Sequence, residues 1–121
     1  MPPDPRDMAR LWDMLEAAKT VLEFIEGIDF DAFMADRKTR FAVERNLEII
    51  GEAARRVTQA TRDLTSDIPW KSIVSLRNII AHEYGEILYE NLWRVCVHRL
   101  PPLIARLEAM NLTLPFDDEE D

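Results

Sequence analysis

"DRKTRFAVERNLEIIGEAARRV", residues 36–57, is the stretch that decides the fold of this 121-residue chain. Its apolar residues recur at intervals of three and four, the spacing of an α-helix with one buried face. The residues of this apolar seam are Val43, Leu47, Ile50, Ala54 and Val57. The pattern predicts a helix over about residues 37–60 that packs against a hydrophobic core.

A second apolar stripe precedes this helix and predicts a neighbour for it. Its members are Met8, Leu11, Leu15, Ala18, Leu22 and Ile25. They predict an amphipathic helix over about residues 7–26 that ends near Gly27, because glycine commonly follows the last helical residue. The short stretch 29–36 holds three large apolar residues, so we expect one or two helical turns there.

The second half of the chain begins with "DLTSDIP", residues 63–69, whose composition is typical of a loop. A third helix is predicted over about residues 69–83. Pro69 suits its first position, where the missing backbone N–H costs no hydrogen bond, and Gly85 is expected to end it.

A last helix is predicted over about residues 88–110, with apolar residues again at steps of three and four. Pro101 and Pro102 fall inside it. Proline removes a helical hydrogen bond and clashes with the preceding turn, so we expect a kink there or two abutting helices. The prediction is an all-α bundle of four main helices and one short helix, with an apolar excess that leaves room for a dimer face.

Length and charge restrict the classes of protein. The chain is expected to form one domain over residues 1–113, with a disordered acidic tail over 114–121. The net charge of −8 argues against a general nucleic-acid binder, but residues 37–62 hold seven basic and three acidic side chains. That basic segment is either a solvated helix face or a track for an RNA backbone or an acidic protein partner.

The single cysteine, Cys96, excludes an internal disulfide and is expected to be a buried, inert thiol. This usage fits a reducing compartment, so a cytoplasmic location is predicted. The apolar runs are too short to cross a membrane. "HE" at residues 82–83 has no second histidine at helical spacing, so no metal site is expected.

The stretch "RNIIAHEY", residues 77–84, concentrates polar side chains in a helical segment. Asn78 and His82 are four residues apart and share a helix face. Arg77 and His82 are five residues apart, which places them roughly 140° apart around a straight helix. The pair can meet only through the long reach of the arginine, through a distorted last turn, or across a subunit interface.

Arginine and histidine together suit the cleavage of RNA without a metal. A guanidinium offers fixed positive charge and a forked set of donors to a phosphate, and an imidazole can move a proton near neutral pH. The ribose 2′-hydroxyl would attack the adjacent phosphate while the arginine stabilises the anionic phosphorane. The spacing alone does not decide between this chemistry and a structural role.

The same residues carry a resemblance to a known family. "RNIIAHEY" resembles the R-x4-H-x-Y motif of the HepT-like toxins, a branch of the HEPN superfamily. Four further stretches resemble that family in the same order and extend the likeness over about residues 6–108. They are "DMLEAAKTVLEFIEG", "FMADRKTRFAVERNLEIIGEAARRV", "IPWKSIVSLRN" and "VHRLPPLI".

The resemblance implies an α-helical homodimer whose R-x4-H motifs face each other, with metal-independent ribonuclease activity and no cofactor. It assigns Arg77 and His82 as the catalytic pair, Asn78 as a supporting polar residue and Tyr84 as the site of O-AMP modification. It also implies a toxin–antitoxin pair, in which a minimal nucleotidyltransferase adenylylates Tyr84 and silences the toxin. The substrate would be RNA, with transfer RNA as one candidate.

Two alternatives belong to other classes. One is a non-catalytic dimeric module that binds a nucleotidyltransferase, and the other is a structural bundle without a partner. An acidic surface continuous across the motif would favour the binding module. A basic, water-accessible cleft that holds Arg77 and His82 from both chains would favour the ribonuclease.

Overall fold

The computed structural model describes residues 4–113, and that part of the chain contains helices and no strands, which confirms the all-α prediction. The elements, in chain order, are α1 (Pro5–Phe24), α2 (Phe30–Ala35), α3 (Arg37–Arg56), α4 (Gln59–Leu64), α5 (Trp70–Val74), α6 (Leu76–His82), α7 (Gly85–Arg94), a π-helical turn (Val95–Arg99) and α8 (Leu100–Glu108).

The core lies between α1 and α3, which pack along most of their length. The predicted seam of α3 is buried throughout, and Val43, Leu47 and Ile50 are completely inaccessible to solvent. Leu11 and Met14 of α1 are equally inaccessible. Burying one such side chain stabilises the fold by about 1.5–3 kcal/mol, so this pair of helices is the frame on which the others are placed.

Four helices begin at a side chain that accepts a hydrogen bond from the first turn. Asp4, Asp29, Asp36 and Thr58 cap α1, α2, α3 and α4 in this way. An oxygen at this position satisfies a backbone N–H that has no partner within the helix. Each of the first four helices therefore begins directly after an Asp or Thr that caps it.

The predicted helix over 37–60 is too long, because α3 ends at Arg56 and Val57 is extended. Thr58 then caps a separate short helix, α4, so the predicted loop over 63–69 begins inside that helix. The break has a long-range cause. The backbone N–H and hydroxyl of Thr58 both donate to the carboxylate of Asp7 in α1, which holds the chain away from the path of α3.

The predicted helix over 69–83 is two helices, α5 and α6, with Ser75 at their junction. The hydroxyl of Ser75 donates to the carbonyl of Ser72 at 2.6 Å. Such a bond competes with the backbone hydrogen bonds of a helix and favours a break. Pro69 lies just before the first helical residue and not at it.

Gly85 was predicted to end a helix, but it is the first residue of α7 and has a φ of +60°. The preceding helix ends at His82, and Glu83 and Tyr84 are extended. A left-handed φ is accessible to glycine at little cost, so Gly85 lets the chain turn from this extended segment into α7.

The predicted last helix is present as an uninterrupted helical run over residues 85–108, made of α7, a π-helical turn and α8. The distortion that the prolines predict is the π turn, which lies before them. Pro101 and Pro102 occupy the first turn of α8, where their missing N–H groups are least costly. Proline rings clash with the carbonyl four residues earlier in a regular helix, so a distortion just before Pro101 is expected.

The predicted disordered tail over 114–121 lies outside the described residues. Cys96 is buried, as predicted, and burial raises the pKa of its thiol to about 12. Among the helices of residues 4–113, none has the length and apolar character needed to cross a membrane.

Candidate active site

The two ends of α6 carry the predicted catalytic pair. Arg77 is the second residue of the helix and His82 is the last, and both side chains are exposed. Five residues of helix separate them by about 7.5 Å along the axis as well as around it. Within residues 4–113, no hydrogen bond or ion pair joins Arg77 to His82. One chain therefore does not bring the pair together.

Arg77 is held by a residue that the sequence prediction missed. The Nε of Arg77 lies 3.2 Å from the Oε2 of Glu52 in α3, and the arginine side chain is 48% exposed. The other carboxylate oxygen of Glu52 lies 3.0 Å from Arg55 and 3.2 Å from Arg56. Three guanidinium groups thus converge on one carboxylate, and we call these four residues the Glu52 cluster.

The three neighbouring arginines favour the ionised form of the Glu52 carboxylate. The hydrogen bond from Arg55, the positive charges of Arg55 and Arg77, and a hydrogen bond from Arg56 together lower the pKa of Glu52, although partial burial opposes the shift. The cluster therefore keeps its ion pairs at neutral pH and in mild acid.

Gly51 allows α3 and α6 to approach closely enough for the ion pair. A Cβ at this position would lie 3.3 Å from the carbonyl oxygen of Ile73 and 3.4 Å from side-chain atoms of Leu76 and Arg77. The absence of a side chain at Gly51 thus brings the backbone of α3 against α5 and α6. The next residue, Glu52, is then in reach of Arg77.

The segment that follows His82 is anchored to α7. Both carboxylate oxygens of Glu83 accept from the side-chain nitrogen of Asn91, at 2.9 and 3.1 Å. Asn91 in turn accepts from Arg94 at 3.0 Å. These bonds fix the backbone between His82 and the start of α7.

Tyr84 projects into solvent at the end of this anchored segment, with 78% of its surface exposed. Tyr89, the other tyrosine of the chain, is buried and donates to Glu44 at 2.8 Å. Burial, the hydrogen bond to Glu44 and the charge of Glu44 raise the pKa of Tyr89. Of the two hydroxyl groups, that of Tyr84 is the accessible one. Asn78 is also exposed.

Two concave surfaces adjoin α6. A groove of about 450 Å³ between α1, α3 and α6 contains Arg77 and Glu52, and we call it the arginine groove. Its other charged residues are Arg10, Asp13, Arg45, Glu48 and Arg56. A larger, mostly apolar cavity of about 840 Å³ lies between α5, α6 and α8, and neither Arg77 nor His82 lines it.

The sequence profile described as "Ribonuclease HepT-like" matches residues 14–110, which include α6 and the whole motif. The chain belongs to the HepT-like family. The predicted resemblance to HepT-like proteins of the HEPN superfamily is thereby confirmed.

Named relatives of this HepT-like protein match it over nearly their whole length. "Putative RNase MJ1380" of Methanocaldococcus jannaschii is 41% identical over 84% of this chain and 94% of its own. "Putative RNase MJ0127" of the same organism is 34% identical over 92% of both chains. "Probable ribonuclease HepT" of Thermococcus cleftensis is 35% identical over 83% of this chain and 91% of its own. No solved structure matches the chain.

The HepT-like chain presents the chemical groups of its motif separately. Arg77 offers guanidinium donors from inside the arginine groove, and His82 offers an imidazole at the other end of α6. In the part of the chain that the structure describes, no three His, Cys, Asp or Glu side chains are placed to share a metal ion. The groups present are those of phosphate binding and proton transfer.

Proposed function

We propose that this HepT-like protein is the endoribonuclease toxin of a toxin–antitoxin pair and cleaves RNA without a metal ion. The observation that carries the proposal is that the R-x4-H-x-Y motif is intact and solvent-accessible within a chain of the ribonuclease HepT-like family. Transfer RNA is one candidate for the substrate.

In the proposed reaction, the ribose 2′-oxygen forms a bond to the adjacent phosphorus and the bond from phosphorus to the 5′-oxygen breaks. The 2′-hydroxyl loses a proton and the leaving 5′-oxygen gains one; His82 performs one of these transfers and water performs the other. Arg77 donates hydrogen bonds to the phosphorane oxygens, where negative charge accumulates. The products are a 2′,3′-cyclic phosphate and a 5′-hydroxyl end.

The complete site requires two copies of the chain. Because α6 holds Arg77 and His82 apart, a site that uses both takes them from motifs that face each other across a dimer. Asn78 lies one turn before His82 on the same face of α6 and supports the substrate or the imidazole there. The exposed Ile87 and Val97 provide apolar surface for such a contact.

Adenylylation of Tyr84 is the proposed means of control. A minimal nucleotidyltransferase antitoxin would transfer AMP from ATP to the tyrosine oxygen with release of pyrophosphate. The added phosphate brings negative charge and bulk to the segment that follows His82. It repels an RNA phosphate and can occupy the guanidinium groups that would bind it.

The cleavage test uses the purified protein and a labelled RNA. Arg77→Ala and His82→Ala should each lower the rate by two or more orders of magnitude, because each removes one source of transition-state stabilisation. Arg37→Ala and His98→Ala remove the same side-chain types elsewhere and serve as controls. EDTA should leave the rate unchanged. Full activity of His82→Ala, or loss of activity in EDTA, contradicts the mechanism.

The net charge of −8 favours a second candidate, a non-catalytic dimeric module that binds the nucleotidyltransferase. The same experiment separates the two. A protein that binds the nucleotidyltransferase but leaves RNA intact in the absence of modification is the binding module.

A further inference from the structure

The Glu52 cluster has more donors than its carboxylate can use. Each guanidinium carries five N–H donors and a carboxylate offers about four acceptor positions. The side chains of Arg55, Arg56 and Arg77 are 51%, 53% and 48% exposed, so much of each guanidinium faces solvent. Three positive charges against one negative charge leave a local excess at the end of α3.

This excess continues into the arginine groove. Arg56 and Arg77 line the groove, and Arg10 of α1 and Arg45 of α3 line it as well. Arg45 is paired with Glu48 at 2.7 Å, whereas Arg10 forms no ion pair with any residue of the described range 4–113. The four arginines share the groove with the carboxylates of Asp13, Glu48 and Glu52, so its lining keeps an excess of one positive charge.

A purely structural role explains this arrangement poorly. Exposed ion pairs contribute little to stability, typically about 0–1 kcal/mol each. A half-exposed guanidinium with spare donors is, however, well suited to bind a phosphate through two parallel hydrogen bonds. The groove volume of about 450 Å³ lies within the range of ligand pockets, roughly 300–1,000 Å³.

We propose that the arginine groove binds an RNA backbone phosphate next to the scissile bond, with Arg10 and Arg56 as phosphate ligands. Glu52 then pairs with Arg56 and Arg77 in the free protein and competes with the phosphate for their donors. The identification of RNA as the ligand rests on the proposed ribonuclease function. The groove explains how an acidic protein attracts a polyanion, because binding depends on the local charge beside Arg77 and not on the net charge.

The test measures binding separately from cleavage. The probe is a fluorescein-labelled oligouridylate with 2′-O-methyl groups, which lacks the attacking hydroxyl and cannot be cut by the proposed reaction. Its affinity for the full-length protein is measured by fluorescence anisotropy over a range of salt concentrations. Arg10→Gln and Arg56→Gln are compared with Arg37→Gln, which removes one charge from the same helix about 28 Å from Arg56.

Arg10→Gln and Arg56→Gln should each weaken binding about tenfold, the value of one charge-assisted hydrogen bond. The slope of log Kd against log salt concentration should fall by about 0.7 in each variant, because one arginine no longer neutralises a phosphate of the single strand. Arg56→Lys should restore part of the affinity. Glu52→Gln should tighten binding, because it removes a competing carboxylate. If Arg56→Gln does not fold, Glu52→Gln tests the phosphate site in its place.

Equal effects of Arg10→Gln, Arg56→Gln and Arg37→Gln overturn the proposal, as does unchanged binding in all three. Competition by polyglutamate as strong as that by RNA also overturns it and assigns the groove to an acidic protein. Cleavage of unmodified RNA by the wild-type protein is scored separately. If the wild-type protein does not cleave RNA, the proposed ribonuclease function is wrong. The anisotropy result alone shows whether the groove binds a phosphate.

Discussion

Gly51 is the residue on which the position of Arg77 most depends. In an open helix, replacing glycine with alanine stabilises by about 1 kcal/mol. At Gly51 the new methyl group would meet the backbone carbonyl of Ile73 at 3.3 Å, and a backbone atom cannot swing aside.

Gly51→Ala is therefore expected to lower the free energy of unfolding by about 1–3 kcal/mol, the usual cost of overpacking. It should also reduce RNA cleavage further than the reduced stability accounts for, because α6 and Arg77 must shift. Urea unfolding and a cleavage assay well below the unfolding midpoint measure the two effects. A stabilised variant with normal activity would show that the close approach of α3 and α6 is unimportant.

Tyr84 is the residue at which regulation is expected. Tyr84→Phe keeps the exposed ring and loses only the acceptor oxygen, so the variant should fold and retain most of its ribonuclease activity. It should no longer be silenced by the nucleotidyltransferase with ATP. Intact-mass measurement should find AMP-sized additions on the wild type and none on Tyr84→Phe.

Tyr89→Phe is the matched control, because its hydroxyl is buried against Glu44 and should never be modified. Additions that map to Tyr89, or silencing of Tyr84→Phe, would contradict the assignment of Tyr84.

The sequence identifies the motif residues but not the contacts that hold them. Arg77, His82 and Tyr84 are recognisable because they fall within eight residues of one another. Glu52 is not, because its ion pair with Arg77 depends on how α3 and α6 pack. Helical spacing of three and four residues could have indicated the ion pairs of Glu52 with Arg55 and Arg56, but not the one with Arg77.

At the scale of the helices, a buried carboxylate joins α1 to α4. Asp7 is 1% exposed and accepts hydrogen bonds from the hydroxyls of Thr58 and Thr61 at 2.5 Å and from the backbone of Thr58 at 3.1 Å. Burial alone would raise the pKa of Asp7, but the bonds from Thr58 and Thr61 outweigh it and the pKa is lowered.

Asp7→Asn should lower the free energy of unfolding at neutral pH by about 1–3 kcal/mol, since it replaces charge-assisted hydrogen bonds with weaker ones. Asp13→Asn, an exposed change in the same helix, is the control and should have little effect. Because the folded-state pKa is lowered, the contribution of Asp7 is present above its unfolded pKa of roughly 4 and declines as the pH falls through the folded value.

Urea unfolding of Asp7→Asn and the wild type should therefore show a stability gap at pH 7 that narrows below about pH 4. A gap that is absent at pH 7, or that widens in acid, would contradict the role of Asp7 in joining the helices.

Periodicity predicts the helix faces well and the helix ends poorly. The apolar seam of α3 is buried as the spacing of three and four requires, since burial of that face is what stabilises the helix. The breaks at Thr58 and Ser75 depend on hydrogen bonds that the apolar pattern does not contain. The apolar pattern likewise gives no sign of the π turn before Pro101.

At the scale of the whole molecule, the described chain is half of the proposed enzyme. The acidic excess lies mainly in residues 1–36 and 63–121, while residues 37–62 hold a net charge of +4. The arginine groove combines four arginines, two of them from that segment, with the carboxylates of Asp13, Glu48 and Glu52, so its lining carries a net charge of +1 on an acidic molecule. A dimer would contain two such grooves, one in each copy.

The decisive measurement is complementation between two inactive variants, Arg77→Ala and His82→Ala. Each alone should be inactive, and sedimentation of each should show a dimer of twice the 14.1 kDa chain mass. In a mixed dimer, the Arg77→Ala chain supplies His82 and the His82→Ala chain supplies Arg77. Refolding an equimolar mixture should restore about one quarter of the wild-type rate, because half of the dimers are mixed and each holds one intact site. A mixture no more active than either variant alone, with mixed dimers present, would contradict a site built from Arg77 and His82 of two chains.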